Sequence, residues 1–405
     1  MTTAFRNSAA ALLVALLALR AGPARAQGGA ASGEVLVSFA GIQPSVAADG
    51  RGGFVLVWAD EGQGGILASV LPKGAQHPLP PFVVSAPTGR PQVSPDVAAD
   101  AGRFAVVWQD GQDFGGAPET GGSRVVGRSF GPRAIPHFPQ VRLSREEEGQ
   151  QAHPQVAVEA NGDFVAAWAV IQDEGTEIRA ARFSGAGSPL GPEMKMKTVG
   201  QENVGVYVAA FPAGFAVGWG EFSECSGGRQ AGFVSAVARF DPEGRRLGRI
   251  YRVGTSRCSS PDAAAIRALV GSRAGVLALF ASSRDIVQRF APSGEPVGGL
   301  IRLPSPPCNE SQCASIGAVS MDDFGRFAVI WEVDAGGSST LAAQLFNPRG
   351  KPLTGLVPVS GTPSVGIQTP AAALADDGTL AVVWRRENSL HPENDGLFLR
   401  LLRLP

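Results

Sequence analysis

Short apolar runs that end in an aromatic residue punctuate the chain. Phe54-Val55-Leu56-Val57-Trp58, Phe104-Ala105-Val106-Val107-Trp108 and Phe164 to Trp168 come first, and Phe327 to Trp331 and Leu380 to Trp384 come last. Weaker copies end at Trp219 and Phe280. Runs of this length, bounded by Gly, Asp and Asn, read as strands rather than helices. Successive side chains of a strand point to opposite faces. Both faces of these runs are apolar, so each predicted strand belongs to a sheet covered on both sides.

Three further segments travel with each run. Before it stands a small-residue strand after proline: Pro44-Ser45-Val46-Ala47-Ala48, Pro95-Asp96-Val97-Ala98-Ala99, Pro154-Gln155-Val156-Ala157-Val158. Turn signals such as Asn161-Gly162 and Asp377-Gly378 join the two into a hairpin. After the run comes a third strand, as in Ile178 to Phe183, Val234 to Phe240, Ile286 to Phe290 and Leu341 to Phe346. A Pro- and Gly-containing turn follows (Asp241-Pro242-Glu243-Gly244, Pro292-Ser293-Gly294, Asn347-Pro348-Arg349-Gly350), where Pro presets φ and Gly accepts positive φ. A short fourth strand closes the unit: Phe82 to Ser85, Val141 to Ser144, Ile301 to Leu303, Val357 to Ser360. We letter these strands A to D.

All six tryptophans occupy one position of this unit, and Phe280 fills the seventh. The copies follow one another at intervals of 50 to 61 residues and consume the chain from residue 34 onward. Seven four-stranded antiparallel units in tandem predict an all-β, seven-bladed β-propeller. The chain ends explain its closure. Glu34 to Ser38 reads as a strand D with no A, B or C before it, and Leu397 to Leu402 as a strand C with no D after it. The N-terminal strand is expected to complete the last blade, so that no sheet is left with an open end.

The composite P-x-V-A…D-G-x-F-x-V-x-W…I-x-A-x-R-F-x-P-x-G…V-x-V-S resembles the propeller-forming repeats of secreted bacterial proteins. The resemblance spans nearly the whole chain and implies an architecture, not an activity. The sialidase Asp-box, S-x-D-x-G-x-T-W, places Trp five residues after Asp, whereas Trp108 lies eight after Asp100. Ser94-Pro95-Asp96 is similar to the S-P-D-G of TolB-like propellers but lacks the glycine.

Residues 1–26 read as a signal peptide. Arg6 precedes the apolar run Ala9 to Leu19, which is too short to span a bilayer, and Ala24-Arg25-Ala26 has the small-x-small form of a cleavage site. Residues 27–33 read as a flexible lead-in and 34–405 as a single domain. A secreted or periplasmic monomer is expected, without a membrane span. The full chain has a formal net charge of −1, and removing Arg6, Arg20 and Arg25 makes it more acidic, which argues against nucleic acid as a partner.

Strand direction alternates, so B–C and D–A loops share one face and the compact A–B and C–D turns the other. The longer, irregular insertions fall on the first face, which is therefore the expected binding face. On it we place Asp96, Asp110, Asp113, Phe114, Glu221 and Phe222 as candidate ligand-binding residues. Ca²⁺ is the one ion such acids would suit, but no dense acidic loop supports it, and no cofactor or metal is expected. No G-x-S-x-G or H-E-x-x-H is present. His153 and His391 are read as loop residues of this face, and Asp96 is the one acid among Ser45, Asp96, Gln155 and Ala371 at the x of P-x-V. The expected function is a non-catalytic binding or scaffold module with a protein or glycan partner at the cell envelope or outside it. The alternative is a polysaccharide-active hydrolase or lyase using carboxylates on that face.

Cys225, Cys258, Cys308 and Cys313 all fall in loops of that face. Four cysteines allow three pairings, and loop proximity favours Cys225–Cys258 with Cys308–Cys313. Non-reducing peptide mapping of exported protein is expected to recover these two bridges. Four free thiols, or a Cys225–Cys313 bridge, would overturn either the compartment or the loop placement.

Overall fold

The computed structural model describes the chain except residues 1–32, 63, 112–121, 146–148, 200–204, 224–231, 256–264, 282–284, 305, 307–311, 336, 362–365 and 388–394. The signal peptide, Asp113, Phe114, Cys225, Cys258, Cys308 and His391 lie outside the described residues, as do the side chains of Phe222 and Cys313.

Among the described residues, twenty-eight strands form seven four-stranded antiparallel sheets. The innermost strands are Gly41–Ala48, Gln92–Asp100, Gln150–Val158, Val206–Phe211, Ala265–Ser272, Gln312–Met321 and Gly366–Leu374, in blades one to seven. Each aromatic of strand B is buried, from Trp58 at 1% exposure to Trp384 at 0%. It always packs toward the preceding blade. Trp108 joins Leu56's neighbours Val55 and Val57 of blade one, while Ala105 and Val107, on the opposite face, join Trp168 of blade three. Seven such apolar layers link blade one to two, two to three and so on to seven and one. The two-faced apolar pattern of strand B is thus the pattern of a sheet inserted between two others.

The polar positions of the repeat hold its turns. In V-x-V-S the serine Oγ accepts an N–H of strand C: Ser85 from Ile66 (2.8 Å), Ser144 from Val125 (3.1 Å), Ser360 from Leu341 (2.8 Å). At C–D turns, Asp241 and Asn347 each accept two backbone N–H groups on one side-chain oxygen. Gly378, at φ +84°, also passes so close to the Leu404 carbonyl that a Cβ would sit 2.5 Å from it.

Closure follows the expected route. Val35–Ser38 pairs antiparallel with Gly396–Arg403, making the last blade's order D–C–B–A with D from the N-terminal end. Glu34 fastens this strand. Its carboxylate accepts the Gly361 N–H at 2.6 Å and pairs with the buried Arg386 guanidinium at 2.9 Å, which lies 3.7 Å from the Phe398 ring centroid. Deleting Glu34 to Ser38 uncovers the edge of Gly396–Arg403. The truncated protein is expected to melt at lower temperature and to aggregate, as read by differential scanning calorimetry and light scattering. An unchanged melting temperature and solubility would rule out a closing role for this strand.

Candidate functional site

The seven inner strands present one half-buried residue each at the level just below the strand-B aromatic. Register identifies them: Ser45 opposite Val57, Asp96 opposite Val107, Gln155 opposite Ala167, Tyr207 opposite Gly218, Ala268 opposite Leu279, Ala318 opposite Ile330, Ala371 opposite Val383. The ring is lopsided. Blades one to four contribute Ser, Asp, Gln and Tyr, and blades five to seven contribute three alanines; Tyr207, Ala268, Ala318 and Ala371 also pack against the interblade layers.

Asp96 joins three blades. One carboxyl oxygen accepts the Ser45 hydroxyl at 2.8 Å, and the other accepts the Val156 N–H at 2.8 Å. Burial pushes its pKa up to about 6, against the pull of the hydrogen bonds from Val156, Ser45 and Val97. The Ser45 oxygen stands 3.4 Å from the Val97 N–H and repeats the device one blade earlier. An inner strand has a free backbone edge toward the channel, and these side chains supply acceptors for it.

One level up, the inner strand bulges in blades one, two, three and seven. The residue before the proline there takes positive φ: Gln43 (49°), Ser94 (51°), His153 (50°) and Thr369 (45°). Left-handed backbone at a non-glycine residue costs of order 1–3 kcal/mol, and such strain concentrates at functional sites. In blade three the strained residue is an imidazole. His153 therefore belongs to the inner strand at the channel mouth, not to a loop as its surroundings in the sequence suggested.

Blades four and five complete the mouth. A Cβ on Gly205 would lie 2.9 Å from the Tyr207 hydroxyl, so the ring runs back along its strand toward the D–A end. Burial raises the Tyr207 pKa, and the charge of Arg267, at the bulge of the next inner strand, lowers it. His153, Tyr207 and Arg267 thus occupy three consecutive blades at one end of the channel. Sequence reading missed Tyr207 and Arg267 because blades four and five lack the P-x-V signature; strand register alone places them.

The other expected site residues are engaged in structure. Asp110 is fully buried, pairing with Arg124 at 2.7 Å and accepting the Thr88 hydroxyl at 2.6 Å. Glu221 accepts from Lys197 at 2.7 Å and from the Trp219 indole N–H at 3.2 Å. Both stand two residues beyond a tryptophan, which on a strand means the same face, and that face is the interblade layer. Phe222 lies at the end of its strand, paired with Phe233. Glu332 and Asp334 share a face of strand B in blade six, where burial and then the charge of Asp334 raise the Glu332 pKa. Among the described residues no cluster of three metal-ligating side chains occurs.

No protein family matches the chain, and no curated protein does. Solved structures of similar shape include one from a study of two prolyl endopeptidases (12% identity, 91% of this chain and 51% of that one, TM-score 0.49). Others are an ulvan lyase, a polysaccharide lyase (10%, 90% and 91%, TM-score 0.49), and an α-L-arabinofuranosidase of Fusarium graminearum (8%, 92% and 98%, TM-score 0.48). The chain spans about half the length of the endopeptidase-study chain it matches.

The expectation of a non-catalytic binding or scaffold module is corrected here. Solved propellers of similar shape include glycan-cleaving enzymes, and the inner strands carry Asp96 and Tyr207 beside Ser45, Gln155 and three alanines.

Asp96 gives a signed pH dependence. Its native pKa of about 6 lies above the ordinary 3.8, so the native state binds the proton more tightly than the unfolded chain. Stability from this group is fully present below 3.8 and is lost as pH rises through 6. Asp96→Asn keeps an acceptor oxygen and removes the charge. The variant is expected to melt above the parent at pH 8 and to match it near pH 3.5, in parallel thermal melts. A variant less stable than the parent at pH 8 would contradict a charge held at a cost.

Proposed function

We propose that the chain is a polysaccharide lyase that cleaves a uronate-containing glycan at the channel mouth on the B–C/D–A face. The observation that supports this reading is Arg267 on the inner strand next to that of Tyr207, where its charge acts on the half-buried phenol, above a ring of seven residues that holds one carboxylate. Acid-base hydrolysis of a glycoside needs two facing carboxylates. Asp96 stands alone among the ring residues, and both its oxygens are engaged.

Elimination needs a different set: a cation for the uronate carboxylate, a base for the proton beside it, and an acid for the leaving oxygen. Arg267 pairs with the carboxylate and stabilises the enolate that develops there. His153 accepts the C5 proton as the C4–C5 double bond forms. The C4–O bond breaks, and Tyr207, kept protonated by burial, donates to the departing oxygen. No helix among the described residues is long and apolar enough to cross a membrane. With a signal peptide at residues 1–26, the enzyme would meet its substrate in the periplasm or outside the cell.

A second reading rests on Glu332 and Asp334, two acids on one strand face with the Glu332 pKa raised. They would serve a hydrolase. Incubation of the secreted protein with a panel of uronate-containing and neutral polysaccharides separates the two. The lyase reading expects products with the ultraviolet absorbance of an unsaturated uronate, and a loss of about 10²- to 10⁴-fold in kcat for Tyr207→Phe. New reducing ends without that absorbance, lost in Glu332→Gln, would replace it by the hydrolase. Cleavage of no member of the panel would remove both.

A further inference from the structure

A cavity of about 480 Å³ opens on the opposite face, in the seam between blade seven and blade one. Its position is set by the closure: one wall comes from the strand B start and C–D turn of blade one, the other from the A–B turn and last strand of blade seven. Phe54, Leu71 and Leu402, all buried, form its apolar depth. Lys73, Arg403 and Asp377 form its polar rim. Small-ligand sites have this size and this mixture, an apolar body with a few convergent polar groups.

The rim charges do not cancel. Arg403 pairs with Asp377 at 2.8 Å and donates to the Thr379 hydroxyl at 3.0 Å. Asp377 also accepts the Thr379 N–H, and these contacts, against its burial, hold its pKa below the ordinary carboxylate value. It therefore stays ionised and neutralises Arg403. Lys73 makes no hydrogen bond or ion pair among the described residues. Its stem lies over Gly52, where a Cβ would come within 3.0 Å of the Lys73 Cδ, so glycine at φ +90° makes room for the lysine at the pocket edge. One cation of the rim is left over beside an apolar cavity.

We propose that this seam pocket binds a small monocarboxylate with an apolar body, its carboxylate on Lys73 and its body against Phe54, Leu71 and Leu402. A ligand held by both walls bridges blades seven and one, so binding stabilises the junction that closes the ring. The site is remote from the channel mouth and independent of the reaction proposed there.

The experiment uses the intact protein with hexanoate as the probe, and acetate and hexanol as the controls for body and charge. Calorimetric titration and thermal melts read affinity and stabilisation. Hexanoate is expected to bind saturably and raise the melting temperature, with acetate and hexanol each at least tenfold weaker. Lys73→Ala, at an exposed position that leaves the fold intact, is expected to weaken hexanoate about tenfold or more. Asp377→Asn keeps the oxygen that caps Thr379 but removes the opposing charge, and is expected to tighten binding. Equal binding of hexanol and hexanoate, no response to Lys73→Ala, or no saturable binding of hexanoate would each overturn the proposal.

Discussion

A sheet with two apolar faces is stable only between two other sheets, and in a row of such sheets the first and last must meet. This constraint governs the molecule. Strand B of every blade is apolar on both sides, so each blade contributes one face to the layer before it and one to the layer after. Seven blades satisfy seven layers when the ring closes and leave two apolar faces bare when it does not. The pairing of Val35–Ser38 with Gly396–Arg403 gives the last blade its outer strand and so the area to seal against its neighbours. The ion pair of Glu34 with Arg386 is partly buried, so its net contribution is small.

The same geometry decides where chemistry can sit. Stacked blades fill their interior layers completely, and acids drawn into them, such as Asp110, become ion-paired structure. What remains is the lining of the axis, where each inner strand offers one half-buried side chain per level. A symmetrical repeat would give seven identical residues there. This chain gives Ser45, Asp96, Gln155 and Tyr207 on one side and Ala268, Ala318 and Ala371 on the other. Polar groups cross-link the inner strands on one arc, and on the other the alanines pack against the interblade layers. The cost shows at Asp96, whose carboxylate is held at a pKa of about 6 in order to satisfy the Val156 N–H across a blade boundary.

Local sequence determined most of the architecture. The recurring aromatic at the end of strand B, the hairpin turns, the serine that ends strand D and the unmatched strands at the two ends each rest on interactions between residues close in the chain or on burial periodicity, and these leave a signature in the order of residues. That signature sufficed for the seven blades, their four strands and the N-terminal closure. It also placed Asp96 at the channel. The site beyond Asp96 depended on tertiary structure. Tyr207 joins the ring through its register opposite Gly218, and the charge of Arg267 acts on it across a blade boundary; neither sits in a P-x-V segment, so no local pattern marks them. Asp110 and Glu221 carried the right residue type at the right end of a strand, yet both lie on the face that packs toward the preceding blade. Side-chain fate at a blade boundary is set by the neighbour, some 50 to 60 residues away in the chain, and only the closed ring brings that neighbour into contact.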